Sequence, residues 1–140
     1  MTATPLPLAR RSFFHSATHA EWAGRALSGI AVLFLLMDTV GKLILLAPAV
    51  EGTMQLGYPA SVLRPLGVIE LVCLVTYLLP RTAPLGAVLW TGYLGGAIAT
   101  HVRLENPLFT HVLFPVYIAA LLWGGLYLRD ARVRDFIRPR

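Results

Sequence analysis

Five ionisable residues stand inside stretches that are otherwise apolar, and their types are those that move protons or hold ions. Asp38 and Lys42 are four residues apart, so on a helix they share one face and can pair. Glu70 lies in an apolar run with Gly67, Leu74 and Tyr77 on its helical face and no opposite charge nearby in sequence. His101 and His111 flank a turn at Asn106-Pro107. A carboxyl group beside an amine or imidazole can relay a proton, and two imidazoles at one level can ligate a metal or haem. Asp38, Lys42 and Glu70 are therefore the candidate catalytic group, as a proton relay or an ion pair. His101, His111, Tyr77, Tyr93 and Trp90 are the candidate ligand-binding residues, the aromatics as walls of a cofactor slot. Plain packing is the competing reading for the aromatics, and interfacial capping for the histidines. No metal is assigned; His101 and His111 are the pair it would use.

These charges need explaining because of where they stand. On insertion scales an Asp or Lys at the centre of a membrane helix costs about 2.5–3.5 kcal/mol, whereas each Leu, Ile, Phe or Val returns about 0.3–0.6 kcal/mol. Asp38 and Lys42 together offset the apolar gain of their own segment, so they must neutralise each other or face a polar cavity. Glu70 needs Lys42 to reach it or a proton to neutralise it. The alternative to chemistry is a buried clip that fixes one helix against its neighbours.

The elements that position these residues are apolar runs long enough to cross a bilayer. Of the 140 residues 56% are hydrophobic and 14% charged, too few charges to cover a soluble surface of this size, where about 25% is usual. Four spans are expected, at 22–47, 61–79, 82–102 and 108–128, each near the ~20 residues that hydrocarbon requires. Thr18 and Glu21 form a capping-box pattern before the first. Pro48, Pro80 and Asn106-Pro107 mark the breaks. The fold class is thus all-α: a polytopic membrane protein with a four-transmembrane-helix bundle at 19–128 and a short interfacial segment between helices 1 and 2. Barrels are excluded, because the runs are long and lack alternation.

Basic tails at 1–18 and 129–140 flank this domain. Eight arginines lie toward the two termini (Arg10, Arg11, Arg25, Arg129, Arg132, Arg134, Arg138, Arg140) and Arg81 lies in the loop on the same side, against Arg64 and Arg103 opposite. The positive-inside rule then puts both termini in the cytoplasm. This placement accounts for the net charge of +5 without nucleic acid. Arg10-Arg11 is read as a basic anchor, since a polar stretch from His15 to Glu21 interrupts the apolar region an export signal needs. Along the C-terminal tail, Val133, Phe136 and Ile137 are expected to touch the lipid surface.

Helix packing in lipid relies on close backbone approach. Gly92 and Gly96 have the GxxxG spacing, Gly24 and Ser28 supply small residues on helix 1, and Ala120 and Gly124 on helix 4. Packing inside the bundle is expected of Gly92 and Gly96, with a homodimer as the alternative. Cys73 is the sole cysteine, which rules out an intrachain disulfide. No phosphate-binding glycine loop, metalloprotease helix or haem-attachment motif is present.

Taken together, Leu27-Ser28-Gly29 with Asp38 and Lys42, Val50-Glu51-Gly52, Leu56-Gly57-Tyr58-Pro59, Gly67-Val68-Ile69-Glu70-Leu71, Tyr77-Leu78-Leu79-Pro80-Arg81-Thr82, Gly92-Tyr93-Leu94-Gly95-Gly96-Ala97, Ala99-Thr100-His101 and His111-Val112-Leu113-Phe114-Pro115 give a chain that resembles the DoxX family, in particular its DoxX-like branch of small bacterial membrane proteins. The resemblance implies a four-helix protein of the bacterial cytoplasmic membrane. It also implies quinone-linked redox chemistry beside a soluble or membrane oxidoreductase subunit, with quinone as the only cofactor suggested. The residues themselves leave three functions open: a component of a membrane redox system, a binder or carrier of a small apolar or lipid-like molecule, or a structural subunit.

Overall fold

The computed structural model describes residues 18–138, so the Arg10-Arg11 segment lies outside the described residues. Among the described residues six α-helices follow one another: α1 (His19–Leu43), α2 (Ala47–Gln55), α3 (Leu63–Leu78), α4 (Ala83–Arg103), α5 (Phe114–Arg129) and α6 (Ala131–Ile137). A 3-10 turn, Ala60–Val62, leads into α3, and a π-helical turn, Leu108–Val112, leads into α5. No strand occurs among the described residues.

Local chemistry sets these boundaries. At the start of α1 the Thr18 hydroxyl accepts from the Glu21 amide, and the Glu21 carboxylate accepts from the Thr18 amide, satisfying two orphan donors. The helix stops at Leu43, short of the expected 47. Leu45 turns left-handed (φ 55°), and the Leu46 and Leu45 amides reach back to the Gly41 and Lys42 carbonyls. This Schellman closure satisfies the last carbonyls before Pro48, which could not continue the helix. The same closure ends α2 at Gly57 (φ 82°) and α4 at Glu105 (φ 53°). All three turns gather at one end of the molecule, called here the α2 end; Thr18 and α6 mark the opposite α6 end.

Helices α1, α3, α4 and α5 pack in a cycle, each against the next, while α1 and α4 face each other across it without extensive contact. The core between them holds Leu35, Leu74, Tyr77, Trp90, Leu122 and Leu126, all at most 2% exposed. Glycine decides how closely the helices approach at the α6 end. A Cβ at Gly125 would lie 2.2 Å from Ser28 Oγ, one at Gly24 2.8 Å from Gly125 O, and one at Gly86 2.3 Å from the Tyr77 amide nitrogen. The small residue that closes α5 onto α1 is thus Gly125, one position beyond the expected Gly124. Gly92 and Gly96 do not pack: nothing lies within 4 Å of a Cβ built on either. They turn toward the gap between α1 and α4, so within the chain the GxxxG spacing makes room instead of the expected helix contact.

Outside, large apolar side chains lie bare. Ile30, Leu33 and Met37 on α1, Val68 and Val72 on α3, and Val116 on α5 are 41–70% exposed. Among the described residues three helical segments, His19–Leu43, Ala60–Leu78 and Leu108–Arg129, are long and apolar enough to cross a bilayer. Such a surface belongs in lipid, and the chain is a membrane protein. Threonines within the helices return their hydroxyls to the preceding turn, Thr39 to Leu35 O (2.7 Å) and Thr100 to Gly96 O (2.9 Å), so they expose no unmet donor to hydrocarbon.

The C-terminal tail folds back onto the α6 end. Asp130 caps α6 by accepting from the Arg132 amide, and the Arg132 guanidinium reaches Pro80 O at 2.6 Å. Val133 is 4% exposed within the core, in contrast to the expected lipid contact, whereas Phe136 and Ile137 stay exposed. With Arg132 bonded to the α3–α4 loop, α6 turns Val133 inward and leaves Phe136 and Ile137 outside.

Candidate functional site

A cavity of about 830 Å³ opens at the α2 end, in the gap that α1 and α4 leave between them. Phe34, Leu35, Asp38 and Lys42 line it from α1, Gly92, Tyr93, Gly96 and His101 from α4, and His111, Phe114 and Ile118 from the π turn and α5. Helix α2 forms a further wall with Pro48, Gly52 and Thr53. Its position follows from the left-handed turn at Leu45, which folds α2 back over the ends of the long helices.

Lys42 is the hub. Its Nζ donates to Asp38 Oδ2 at 2.5 Å and to Glu70 Oε1 at 2.5 Å. The first bond is the i, i+4 pair within α1; the second crosses to α3. The side chains grade from exposed to sealed, at 38% for Asp38, 12% for Lys42 and 0% for Glu70. Glu70 Oε2 is buried with no hydrogen-bond partner among the described residues. Lys42 Nζ also sits 5.8 Å from the Tyr93 ring centre, over the aromatic face. Two carboxyl groups therefore share one ammonium, one carboxyl more than Lys42 can neutralise.

His101 and His111 come together at the same end, ring centres 5.6 Å apart and edge to face. Asn106 Nδ2 lies 2.9 Å from His101 Nδ1, and Thr110 Oγ1 lies 2.8 Å from His111 Nδ1, so each ring has a polar neighbour fixing it. No group of three or more His, Cys, Asp or Glu suited to a metal occurs among the described residues.

Two of the aromatics are placed elsewhere. Tyr77 is fully buried near the α6 end, its hydroxyl donating to Leu122 O (2.9 Å) and sharing a bond with Ser28 Oγ (3.0 Å). Trp90 is also fully buried, packed edge to face on Tyr93 with ring centres 5.6 Å apart, and forms no part of the cavity wall. Expected as walls of a cofactor slot, both pack in the core instead. The structure thus gathers Asp38, Lys42, Tyr93, His101 and His111 around one cavity with Glu70 behind Lys42, and leaves Tyr77 and Trp90 apart.

Sequence reasoning missed the walls from α2 and the aromatic pair Phe34–Phe114, whose ring centres are 5.1 Å apart. Pro48 signals the start of a helix, but no local pattern says that it folds over a cavity. It also missed two ties that hold this end together: Tyr58 OH to Thr100 Oγ1 (3.0 Å) and Arg103 to Leu56 O (3.0 Å).

Neither the curated proteins nor the solved structures contain a match to the chain. A family model described as the DoxX-like family matches residues 26–125, a stretch that contains the Asp38–Lys42–Glu70 cluster, both histidines and all of the cavity walls, and that stops before α6. The chain therefore belongs to the DoxX-like family.

Proposed function

We propose that this protein is a four-span membrane protein that holds a small amphipathic molecule in the α2-end cavity and exchanges a proton with it through Asp38, Lys42 and Glu70. The observation that carries this reading is the position of Lys42, shared by two carboxyl groups on a cavity wall. It links a carboxyl that reaches the cavity to one sealed behind it. The excess acidic group gives the cluster a place for one exchangeable proton.

The fourth span in this proposal is α4. Its 21 residues reach about 31 Å, enough to cross hydrocarbon. Gly92, Gly96, Thr100 and Tyr93 lower its apolar character, and these are the residues that serve the cavity. Leu85, Val88 and Val102 are exposed along it, so it too presents apolar side chains. Arg25, Arg81, Arg129, Arg132, Arg134 and Arg138 lie toward the α6 end, against Arg64 and Arg103 toward the α2 end. This asymmetry favours a bacterial inner-membrane protein with the α6 end in the cytoplasm and the cavity facing outward.

The ligand class we favour is quinone-like, a carbonyl-bearing ring on an apolar tail. The residues suit it: Lys42, Tyr93 and the histidines offer N–H and O–H donors, and Phe34, Phe114 and Ile118 offer apolar walls. When bound, a quinone supplies acceptance of two electrons and two protons, the electrons coming from a partner oxidoreductase subunit. The chain's own contribution would be to orient the carbonyl oxygens, exclude lipid and hold the proton at the cluster.

The test is extraction and mass spectrometry of small molecules that co-purify with the chain from its membrane. The wild type is expected to carry one amphipath in near-stoichiometric amount, and Gly96→Leu, which fills the cavity, to lose it while still folding. Recovery of only bulk lipid, unchanged in Gly96→Leu, Asp38→Asn and Glu70→Gln, would leave Lys42 as a structural staple between α1 and α3. That second reading draws on the Lys42–Glu70 bond, which joins those two helices.

A further inference from the structure

A second pocket, of about 280 Å³, lies at the α6 end among the start of α1, the start of α4 and the α5–α6 junction. Arg25, Arg129 and Arg132 line it, together with Glu21 and Asp130. Both acids are already engaged. Glu21 Oε2 accepts from the Thr18 amide at 3.1 Å. Asp130 takes the Arg132 guanidinium at 2.7 and 3.1 Å and the Arg132 amide at 3.0 Å. Arg132 in turn is committed to Asp130 and to Pro80 O.

Arg25 and Arg129 remain. Each rests on an aromatic face, Arg25 5.2 Å from the Trp22 ring centre and Arg129 5.4 Å from that of Tyr77, a contact that fixes the guanidinium plane without using its N–H groups. Neither pairs with an acid among the described residues, and Arg129 Nε is buried with no hydrogen-bond partner there. A buried N–H left unmet costs stability, so the arrangement suits an acceptor from outside the chain. The wall also includes Ala83, the first residue of α4, whose cap residue Thr82 makes no side-chain bond to the helix. The electropositive end of a 21-residue helix therefore adjoins the two free guanidinium groups.

We propose that this pocket binds a phosphate group, with Arg25 and Arg129 as its ligands and the start of α4 as its backing. Two guanidinium groups held flat on aromatic rings present the planar, forked donors that phosphate oxygens accept. Pockets of this type between membrane helices at the basic boundary suit the headgroup of an anionic lipid, and a soluble phosphate offers the same chemistry. Arg129 in the last turn of α5 also complements that helix's dipole, but a lysine would do so equally, and the forked geometry is what phosphate needs. The site is separate from the cavity and independent of what the cavity holds.

Native mass spectrometry of the full chain, with phosphatidylglycerol and phosphatidylcholine supplied in equal amounts, tests the assignment, alongside thermal unfolding in rising inorganic phosphate. The wild type should retain phosphatidylglycerol preferentially. Arg25→Gln and Arg129→Gln should each weaken that preference about fivefold, and their combination about twenty-five-fold. Arg129→Lys should fall between, and the cavity-filling Gly96→Leu should leave the preference intact. Stabilisation by inorganic phosphate that Arg25→Gln removes, with no preference between the lipids, would support the phosphate site and name a soluble ligand. Equal retention of both lipids with no response to phosphate overturns the proposal, as does a preference that survives in the double variant. Should Arg129→Gln fail to fold, the exposed Arg25 decides it alone.

Discussion

At the α6 end, Tyr77 gives its hydroxyl to Leu122 O, shares it with Ser28, and lies where Gly86 lets α4 touch the α3 backbone. At the α2 end, Glu70 is as deeply buried as Tyr77, yet one of its oxygens has no partner among the described residues. Glycines at the first end bring helices together; Gly92 and Gly96 at the second face open space. Around Tyr77 the core is closed with its hydroxyls satisfied, while beside Glu70 stand the larger cavity and an incompletely satisfied charge cluster. Buried polar groups that serve only stability are expected to be fully hydrogen-bonded. Tyr77 meets that expectation and Glu70 does not, although both sit on one face of α3.

The contrast would be broken most forcefully at Lys42. Lys42→Met leaves two carboxyl groups facing each other with no cation, one of them sealed, and should destabilise the protein by about 3–5 kcal/mol. Thermal or denaturant unfolding in detergent measures this, and a change below about 1 kcal/mol would show that the cluster carries little burial cost. Next comes Gly86→Ala, whose Cβ would meet the Tyr77 backbone at 2.3 Å; about 1–3 kcal/mol is expected to be lost. Gly92→Ala is its control and should fall within about 0.5 kcal/mol of the wild type. Equal losses at the two positions would erase the distinction between a closed and an open end.

Tyr77→Phe sharpens the comparison at smaller scale. It strands Ser28 Oγ and one claim on Leu122 O, and should cost about 1–2 kcal/mol without altering what the cavity carries. Loss of the co-purifying molecule in this variant would make Tyr77 part of the site after all. The smallest effect is expected at the tail. Hydrogen bonds from Arg132 hold the Asp130 carboxyl below the usual carboxylate range. Its contribution to docking α6 is therefore fully present above the ordinary carboxylate pKa and is lost only as pH falls through the lowered value. Hydrogen exchange of residues 131–137, compared at each pH with Asp130→Asn, should show protection that converges on the variant in acid.

Much of this was legible in the residue order. The i, i+4 spacing of Asp38 and Lys42 required a shared face, and Thr18 with Glu21 required a helix start; the structure has both. The site was less legible, because helical spacing gives the face of a residue but not what that face meets. Tyr77 and Glu70 are seven residues apart on one face of α3, yet one enters the closed core and the other meets Lys42. Gly92 and Gly96 carry the spacing of a packing seam, and only their position opposite α1 makes them walls of a cavity.

The sequence alone determined that the chain is helical and made for lipid, since so few charges among so many apolar residues cannot cover a wet surface, and since prolines and caps cut the apolar runs at fixed points. Tertiary structure decided which polar groups meet. The Lys42–Glu70 bond spans 28 positions, the His101–His111 contact depends on the π turn, and the cavity exists because α1 and α4 stand opposite each other in the helix cycle. Such contacts arise from how whole helices pack, which local propensity and periodicity do not encode.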